Sequence, residues 1–262
     1  MNPQTATATA SVLGRVPARD RLALALDVPD RSAAMALVER FGADFGVMKV
    51  GLELFLAEGP RIVRDIVSAG SRVFLDLKLH DIPNTVEHAA RCAGELGVWL
   101  LTLHTQGGPD MLAAGARGLS DGAATARRGT ADAGSTAAGA DPSAEVPIAL
   151  GVTVLTSDAD APSEVLTSRA RLAERAGCGG VVCAAPDLLV VTNTVPGMLR
   201  VVPGIRPAGA PSADQRRVAT PASALTAGAD VLVIGRAVTA APDPDAAAAA
   251  IVAEVAAALG SP

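Results

Sequence analysis

The stretch RVFLDLKL, residues Arg72–Leu79, is a short aliphatic run that carries two charged side chains in its second half. Such a run is typical of a strand in a buried parallel sheet. Residues two apart on a strand point to the same face, so Asp76 and Lys78 are predicted to lie side by side. Charges inside an apolar strand are costly unless they are paired. Taken alone, these two residues are compatible with either a structural ion pair or a functional pair.

Seven further aliphatic runs occur along the chain, and helical stretches separate them. Regular alternation of strands and helices predicts a parallel sheet, and eight units predict that the sheet closes into a barrel. The predicted strands are Arg21–Val28, Phe45–Gly51, Arg72–Leu79, Val98–Thr105, Pro147–Leu155, Gly179–Ala185, Leu199–Ile205 and Val231–Val238. The predicted helices span about residues 30–41, 53–69, 84–96, 108–119, 162–176, 186–194, 219–227 and 244–259.

The predicted fold class is therefore α/β, a (β/α)8 TIM barrel in a single domain. An open, doubly wound sheet is the alternative, but it predicts a glycine-rich phosphate loop after the first strand. The residues at that point, Leu26–Asp30, include no glycine. The 262 residues also suit a barrel, which typically has roughly 250 residues.

The composition fits a core of small aliphatic side chains. Half of the residues are hydrophobic, yet the chain has four Phe, one Trp and no Tyr, so Val, Leu, Ile and Ala must fill the interior. The net charge of −5 and the lack of basic or aromatic clusters argue against a nucleic-acid surface. A few converging arginines could still bind a phosphate group.

The remaining sequence features concern the cellular location and the segments that do not fit the alternation of strands and helices. The three cysteines are odd in number and form no CxxC pair, which predicts reduced thiols, a cytoplasmic location and no zinc site. No segment resembles a signal peptide or a membrane span. Residues 1–19 are predicted to be a flexible tail before a barrel domain at 20–262. Residues of about 120–146 are predicted to be a low-complexity insertion, as a loop or a partly disordered helix extension.

Polar residues accumulate where the predicted strands end, which is where barrel enzymes carry their active sites. Lys49 on the neighbouring strand can reach the same point as Asp76 and Lys78, so a functional cluster becomes favoured over a lone structural pair. Gly235 would let the backbone approach an anion, and Arg236 offers a planar donor fork for phosphate oxygens. The polar strand ends are Asp27, Lys49, Asp76, Lys78, Asp81, His104, Thr156, Arg206 and Arg236.

The run DLKLHDIPNTV, Asp76–Val86, closely resembles the signature of the orotidine 5′-phosphate decarboxylases. The resemblance covers about residues 21–240 apart from the insertion, and only this run is highly specific. Small departures, in the insertion, at Thr105–Gly108 and at residues 237–239, leave the charged positions intact. Weaker similar stretches follow in the family's order: Leu26–Asp27, Lys49–Gly51, Val152–Ser157, Pro203–Pro207, Asp214–Arg217 and Ile234–Arg236.

The resemblance implies a homodimer without metal or organic cofactor that converts orotidine 5′-monophosphate (OMP) to UMP and CO2, in UMP synthesis. It implies that Asp76 faces the substrate carboxylate and that Lys78 donates the proton, with Lys49 and Asp81 completing the catalytic set. The other implied substrate contacts are Asp27 at the ribose and Thr156 at the pyrimidine, with Gln215, Gly235 and Arg236 at the phosphate and Arg206 nearby. Asp81 and Thr85 are implied to enter the partner subunit's site, and Ile82 is a further predicted substrate contact.

Two alternatives remain for the function. A sister enzyme of the same superfamily would use magnesium to act on a sugar phosphate, although the continuation Ile82–Thr85 and Thr156 favour a pyrimidine substrate. A non-catalytic ligand sensor on the same barrel would be expected to lack at least one of Lys49, Asp76, Lys78 and Asp81, and all four are present.

The segment 206–218 is predicted to be a mobile lid.

Overall fold

The structure is a computed structural model that describes residues 13–14, 16–132, 146–158, 161–207, 217 and 219–260. Several predictions concern residues outside these ranges. They are most of the tail 1–19, residues 133–145 of the predicted insertion, most of the predicted lid at 206–218, and Gln215.

Eight parallel strands close into a barrel in chain order. Each strand pairs with the next one, and the last pairs with the first through Leu22 and Leu232. The predicted (β/α)8 barrel is thereby confirmed. The strands are β1 Leu22–Ala25, β2 Val47–Val50, β3 Arg72–Leu79, β4 Leu100–His104, β5 Ile148–Val152, β6 Gly180–Val182, β7 Leu199–Val202 and β8 Val231–Ile234.

Helices connect the strands on the outside, and their starts follow from local sequence. Asp30 and Asp243 accept backbone N–H groups three residues ahead, which caps two helix N-termini. Proline occupies the first turn of several others, where no N–H is needed. The described helices are α1 Arg31–Phe41, α2 Leu52–Glu58, α3 Pro60–Ser68, α4 Pro83–Glu95, α5 Gly108–Asp132, α6 Ser163–Arg175, α7 Leu188–Thr194, α8 Pro221–Thr226, α9 Arg236–Thr239 and α10 Pro244–Ala258.

Several predicted elements have the wrong extent, as one helix and one strand illustrate. The helix predicted at 53–69 is two helices, because Gly59 takes a positive φ of 63° and Pro60 starts a new helix. The strand predicted to reach Val238 ends at Ile234, and α9 follows. A short apolar run does not reveal by its periodicity where a buried strand gives way to a helical turn.

Helix α5 continues well past its predicted end at residue 119, so residues 120–132 of the predicted insertion are helical. Its glycines allow a very close approach to α4. A Cβ atom at Gly118 would lie 2.1 Å from the carbonyl oxygen of Glu87, and one at Gly122 would lie 2.0 Å from that of Arg91. The small residues that suggest low complexity in the sequence therefore form a packing face.

The barrel interior is filled below its mouth. Alternate strand residues point inward and form one buried cluster, while the others pack against the helices. Phe74 belongs to the inner cluster and is the last apolar inward residue of β3 before Asp76. Asp76 and Lys78 thus lie at the carboxyl end of β3, above this apolar interior. None of the helices in the described part of the chain is both long and apolar enough to cross a membrane.

Candidate active site

Strand β3 is irregular where it carries its charged residues. Leu75 pairs with Leu101 and Leu79 with Leu103, so four steps along β3 match two steps along β4. Within this irregularity Lys78 has a φ of 51°, and it is the only non-glycine residue with a positive φ in the described part of the chain. Such a conformation costs about 1–3 kcal/mol and tends to occur at functional sites.

The predicted pairing of Asp76 with Lys78 forms in this strained segment. The Nζ atom of Lys78 lies 2.9 Å from Oδ1 and 3.0 Å from Oδ2 of Asp76. Both side chains are partly buried, with 35% of the Lys78 and 16% of the Asp76 side chain exposed. The ammonium is therefore held against a carboxylate while part of it still faces open space.

A second ion pair lies on the neighbouring strands. Lys49 Nζ lies 3.1 Å from Asp27 Oδ1, and the lysine side chain is only 11% exposed, whereas the aspartate is mostly exposed. Gly51 keeps room for this pair, since a Cβ atom there would lie 3.2 Å from the Lys49 Nζ atom. Two lysine–aspartate pairs thus stand at adjacent strand ends.

One cavity at the barrel mouth joins most of the predicted site residues. Arg206 follows β7 and Arg236 follows β8, so two guanidinium groups lie on the side of the mouth away from β3. The loop after β7 is held by the Arg206 N–H, which donates to the carbonyl oxygen of Ala219 at 2.9 Å. The predicted residues that line the cavity are Asp27, Lys49, Asp76, Lys78, Thr156, Arg206, Gly235 and Arg236.

The remaining predicted residues that the structure describes do not line this cavity. Asp81, Ile82 and Thr85 are exposed at the start of α4, beyond the end of β3. Asp81 Oδ1 accepts the backbone N–H of Ile82 at 2.6 Å, and Asp81 forms no ion pair within the described residues. Ile82 is 65% exposed. Gln215 lies outside the described residues.

Sequence reasoning missed the apolar wall of the cavity and one buried polar residue beneath it. Inward-facing aliphatic side chains look alike in sequence whether they fill a core or line a ligand cavity. The missed polar residue is Thr102, a hydroxyl within the run LLTLH, and an inward hydroxyl that needs a partner could have indicated it. The missed lining residues are Ala25, Phe74, Val152, Val154, Leu155, Val182, Pro203, Gly204, Ile205, Val233 and Ala237.

Two histidines stack beside the charged cluster. The rings of His80 and His104 are 5.5 Å apart between centroids and 14° from parallel. Burial lowers the pKa of His104, and the nearby His80, Arg169 and Lys78 lower it further. His104 Nδ1 accepts the Gln106 N–H, so that nitrogen is unprotonated. The surroundings of His104 therefore favour its neutral imidazole form.

The comparisons with known proteins agree with this geometry. The model of the family described as Orotidine 5'-phosphate decarboxylase / HUMPS matches residues 20–251. Proteins named orotidine 5'-phosphate decarboxylase from Anaeromyxobacter sp. (strain K) and Moorella thermoacetica are 48% and 44% identical to the chain. The alignments cover 89% and 92% of the chain and 97% and 94% of those proteins.

A solved structure gives the same result. The crystal structure of orotidine 5'-phosphate decarboxylase from Lactobacillus acidophilus superposes with a TM-score of 0.72 at 31% sequence identity. It covers 90% of this chain and 99% of that one. The family model, the sequence relatives and the fold all lead to one assignment, and the chain belongs to the orotidine 5′-phosphate decarboxylase / HUMPS family.

Proposed function

We propose that this chain is an orotidine 5′-phosphate decarboxylase that converts OMP to UMP and CO2 in pyrimidine biosynthesis, without a metal ion. The observation that carries the proposal is the Lys78 ammonium held 2.9 Å from the Asp76 carboxylate at the barrel mouth. The names of its sequence relatives support the same substrate. The alternative of a non-catalytic sensor does not explain why a strained backbone is kept at Lys78.

The proposed chemistry requires a cation at the reacting carbon. When the bond between C6 and the carboxylate breaks, its electron pair stays on C6, and no adjacent carbonyl group can take up the charge. An ammonium group beside C6 would stabilise this carbanion and then transfer a proton to it, leaving CO2, UMP and a neutral amine. Lys78 is the candidate acid, and Asp76 keeps its side chain directed into the cavity.

Asp76 would also act on the bound substrate. A carboxylate about 4 Å from the substrate carboxylate repels it by roughly 4 kcal/mol at an effective dielectric constant near 20. Enzymes lower barriers by roughly 8–23 kcal/mol, so this repulsion alone is too small. Most of the remainder would come from charges that are already in place around the carbanion. The Lys49–Asp27 pair contributes to this arrangement and offers hydrogen-bonding groups to the ribose.

The phosphate group would bind on the opposite side of the mouth. Gly235 and Arg236 follow β8, the usual phosphate position in these barrels, and Arg206 faces the same cavity from the loop after β7. Gln215 is proposed as a further phosphate ligand on the strength of the sequence resemblance alone. Binding energy from this remote group can be used to close the site and so accelerate the chemistry.

We further propose a homodimer in which Asp81, Ile82 and Thr85 enter the partner subunit's site. Their exposed position at the rim, outside the chain's own cavity, supports this arrangement. Leu52 and Leu56 add further exposed apolar surface at 52% and 80% exposure. Contiguous exposed apolar surface can mark an interaction site, and these two leucines lie one helical turn apart on α2. A cytoplasmic location is proposed as well, which the free thiols of all three cysteines support.

An absorbance assay with purified protein, OMP and excess EDTA tests the proposal. We expect conversion to UMP at the same rate with and without the chelator, and no conversion by a Lys78→Ala variant. A magnesium-dependent sugar-phosphate enzyme of the same family would not decarboxylate OMP and would lose its activity in EDTA. Binding of OMP without turnover would instead support a sensor.

A further inference from the structure

Thr102 is a fully buried residue of β4 that lies beneath the charged cluster. Its hydroxyl oxygen is 2.8 Å from the backbone nitrogen of Lys78 and 3.0 Å from Oδ1 of Asp76. A threonine hydroxyl has one hydrogen to donate and lone pairs to accept. Since the backbone N–H of Lys78 can only donate, the Thr102 oxygen accepts from it. The hydroxyl hydrogen is then available for the carboxylate, which only accepts.

These hydrogen bonds close a ring that contains Asp76, Lys78 and Thr102. The Lys78 N–H donates to Thr102, Thr102 donates to Asp76 Oδ1, and the Lys78 ammonium donates to the same oxygen at 2.9 Å. The backbone and the side chain of the lysine are therefore both tied to one carboxylate. A buried hydroxyl that satisfies a strand N–H and an acid at once fixes their relative positions.

The irregularity in β3 explains why the hydrogen bonds of Thr102 are needed. The register shift between Leu75 and Leu79 takes the Lys78 N–H away from regular pairing with β4. A buried N–H without an acceptor is costly, and here the acceptor is a side chain. The positive φ of Lys78 adds backbone strain that the surroundings must hold in place. Thr102 meets both requirements from the adjacent strand.

We infer that Thr102 is a positioning residue for the reaction, which holds the strained Lys78 backbone and the Asp76 carboxylate so that the ammonium faces the reacting carbon. The inference rests on the proposed decarboxylase function and extends it to a residue that does not touch the substrate. Thr102 is absent from the cavity wall, so its effect must pass through Asp76 and Lys78.

The test compares Thr102→Val, which keeps the shape but removes both hydrogen bonds, with Thr102→Ser, which keeps the hydroxyl. For Thr102→Val we expect kcat to fall roughly 10- to 100-fold, with KM and the Kd for UMP within about threefold of wild type. Thr102→Ser should recover most of the lost kcat. Thr105→Val is the matched control, because it removes another buried threonine hydroxyl, whose 2.7 Å bond goes to the Val152 carbonyl oxygen.

The outcomes separate the inference from the proposed function. A wild-type protein that does not decarboxylate OMP refutes the function, and the role of Thr102 with it. An active wild type with an unchanged kcat in Thr102→Val overturns the role of Thr102 alone. The role is also overturned if Thr102→Ser loses as much kcat as Thr102→Val, or if Thr105→Val does, because packing would then explain the loss.

Discussion

The strained backbone of Lys78 leads to a prediction about two variants that differ by one methyl group. Lys78→Ala and Lys78→Gly both remove the ammonium, but alanine keeps a Cβ atom at a φ of 51°. That conformation costs a non-glycine residue about 1–3 kcal/mol. Glycine avoids this cost, but it lowers the free energy of unfolding by roughly 0.4–1 kcal/mol because its unfolded chain has greater conformational freedom. The glycine variant should therefore be the more stable one by about 1 kcal/mol.

Thermal unfolding and urea titration measure this difference. A change of 1 kcal/mol shifts the Tm of a domain of this size by roughly 2–4 °C, so Lys78→Gly should melt that much higher than Lys78→Ala. Ala149→Gly on β5 is the control, because Ala149 has no positive φ and the exchange there should lower stability by at least about 0.5–1 kcal/mol. If Lys78→Ala is as stable as Lys78→Gly, the inferred strain is wrong.

Both Lys78 variants should be almost inactive. Loss of a general acid costs about 10²–10⁴ in rate, and loss of a charge placed at the transition state costs about 10²–10³ more. We therefore expect kcat to fall by at least about 10⁴-fold in each variant, with the protein still folded. Turnover within about a hundredfold of wild type in either variant would show that another group donates the proton.

Three further predictions follow from contacts elsewhere in the structure. Arg236→Ala should raise KM strongly and lower kcat/KM for OMP, and an unchanged kcat/KM would remove Arg236 from the phosphate site. Gly122→Ala should lower the free energy of unfolding by about 1–3 kcal/mol, because its Cβ atom would lie 2.0 Å from an α4 carbonyl oxygen. Gly197→Ala is the control, since a Cβ atom there meets no atom within 4 Å. Equal urea midpoints for the two variants would contradict the close packing of α5 on α4. Burial raises the pKa of Cys178 and Cys183 to about 12, so neither thiol should react with a thiol reagent near about pH 8 until the protein is unfolded, and fast labelling of the native protein would be the contrary result.

The barrel could be predicted from sequence because its eight strands are aliphatic runs at regular intervals. The strand cores were placed correctly, and the errors lie at their ends, as at Val238, where an apolar run continues into a helix. The extent of α5 could not be predicted from its composition. Alanine and glycine indicate low complexity in isolation, and only the presence of α4 makes Gly118 and Gly122 a close-packed face.

The candidate site could be predicted as a set of charged residues but not as a geometry. Alternation along a strand suggested that Asp76 and Lys78 point the same way, and they do form a pair. The pair arises in an irregular segment with a left-handed lysine, which strand periodicity does not reveal. Thr102 was missed because its two partners lie on another strand, and their proximity depends on the register between β3 and β4.

The most direct test of the proposed chemistry is the reaction in D2O with EDTA present, followed by ¹H NMR of the product. If Lys78 protonates C6 after CO2 leaves, its exchanged ammonium delivers deuterium, and the UMP formed should carry deuterium in place of the C6 proton. The Lys78→Ala variant should form no UMP under the same conditions. Absence of UMP with the wild-type protein, or formation of UMP only after magnesium is added, would contradict a metal-free decarboxylation at this site.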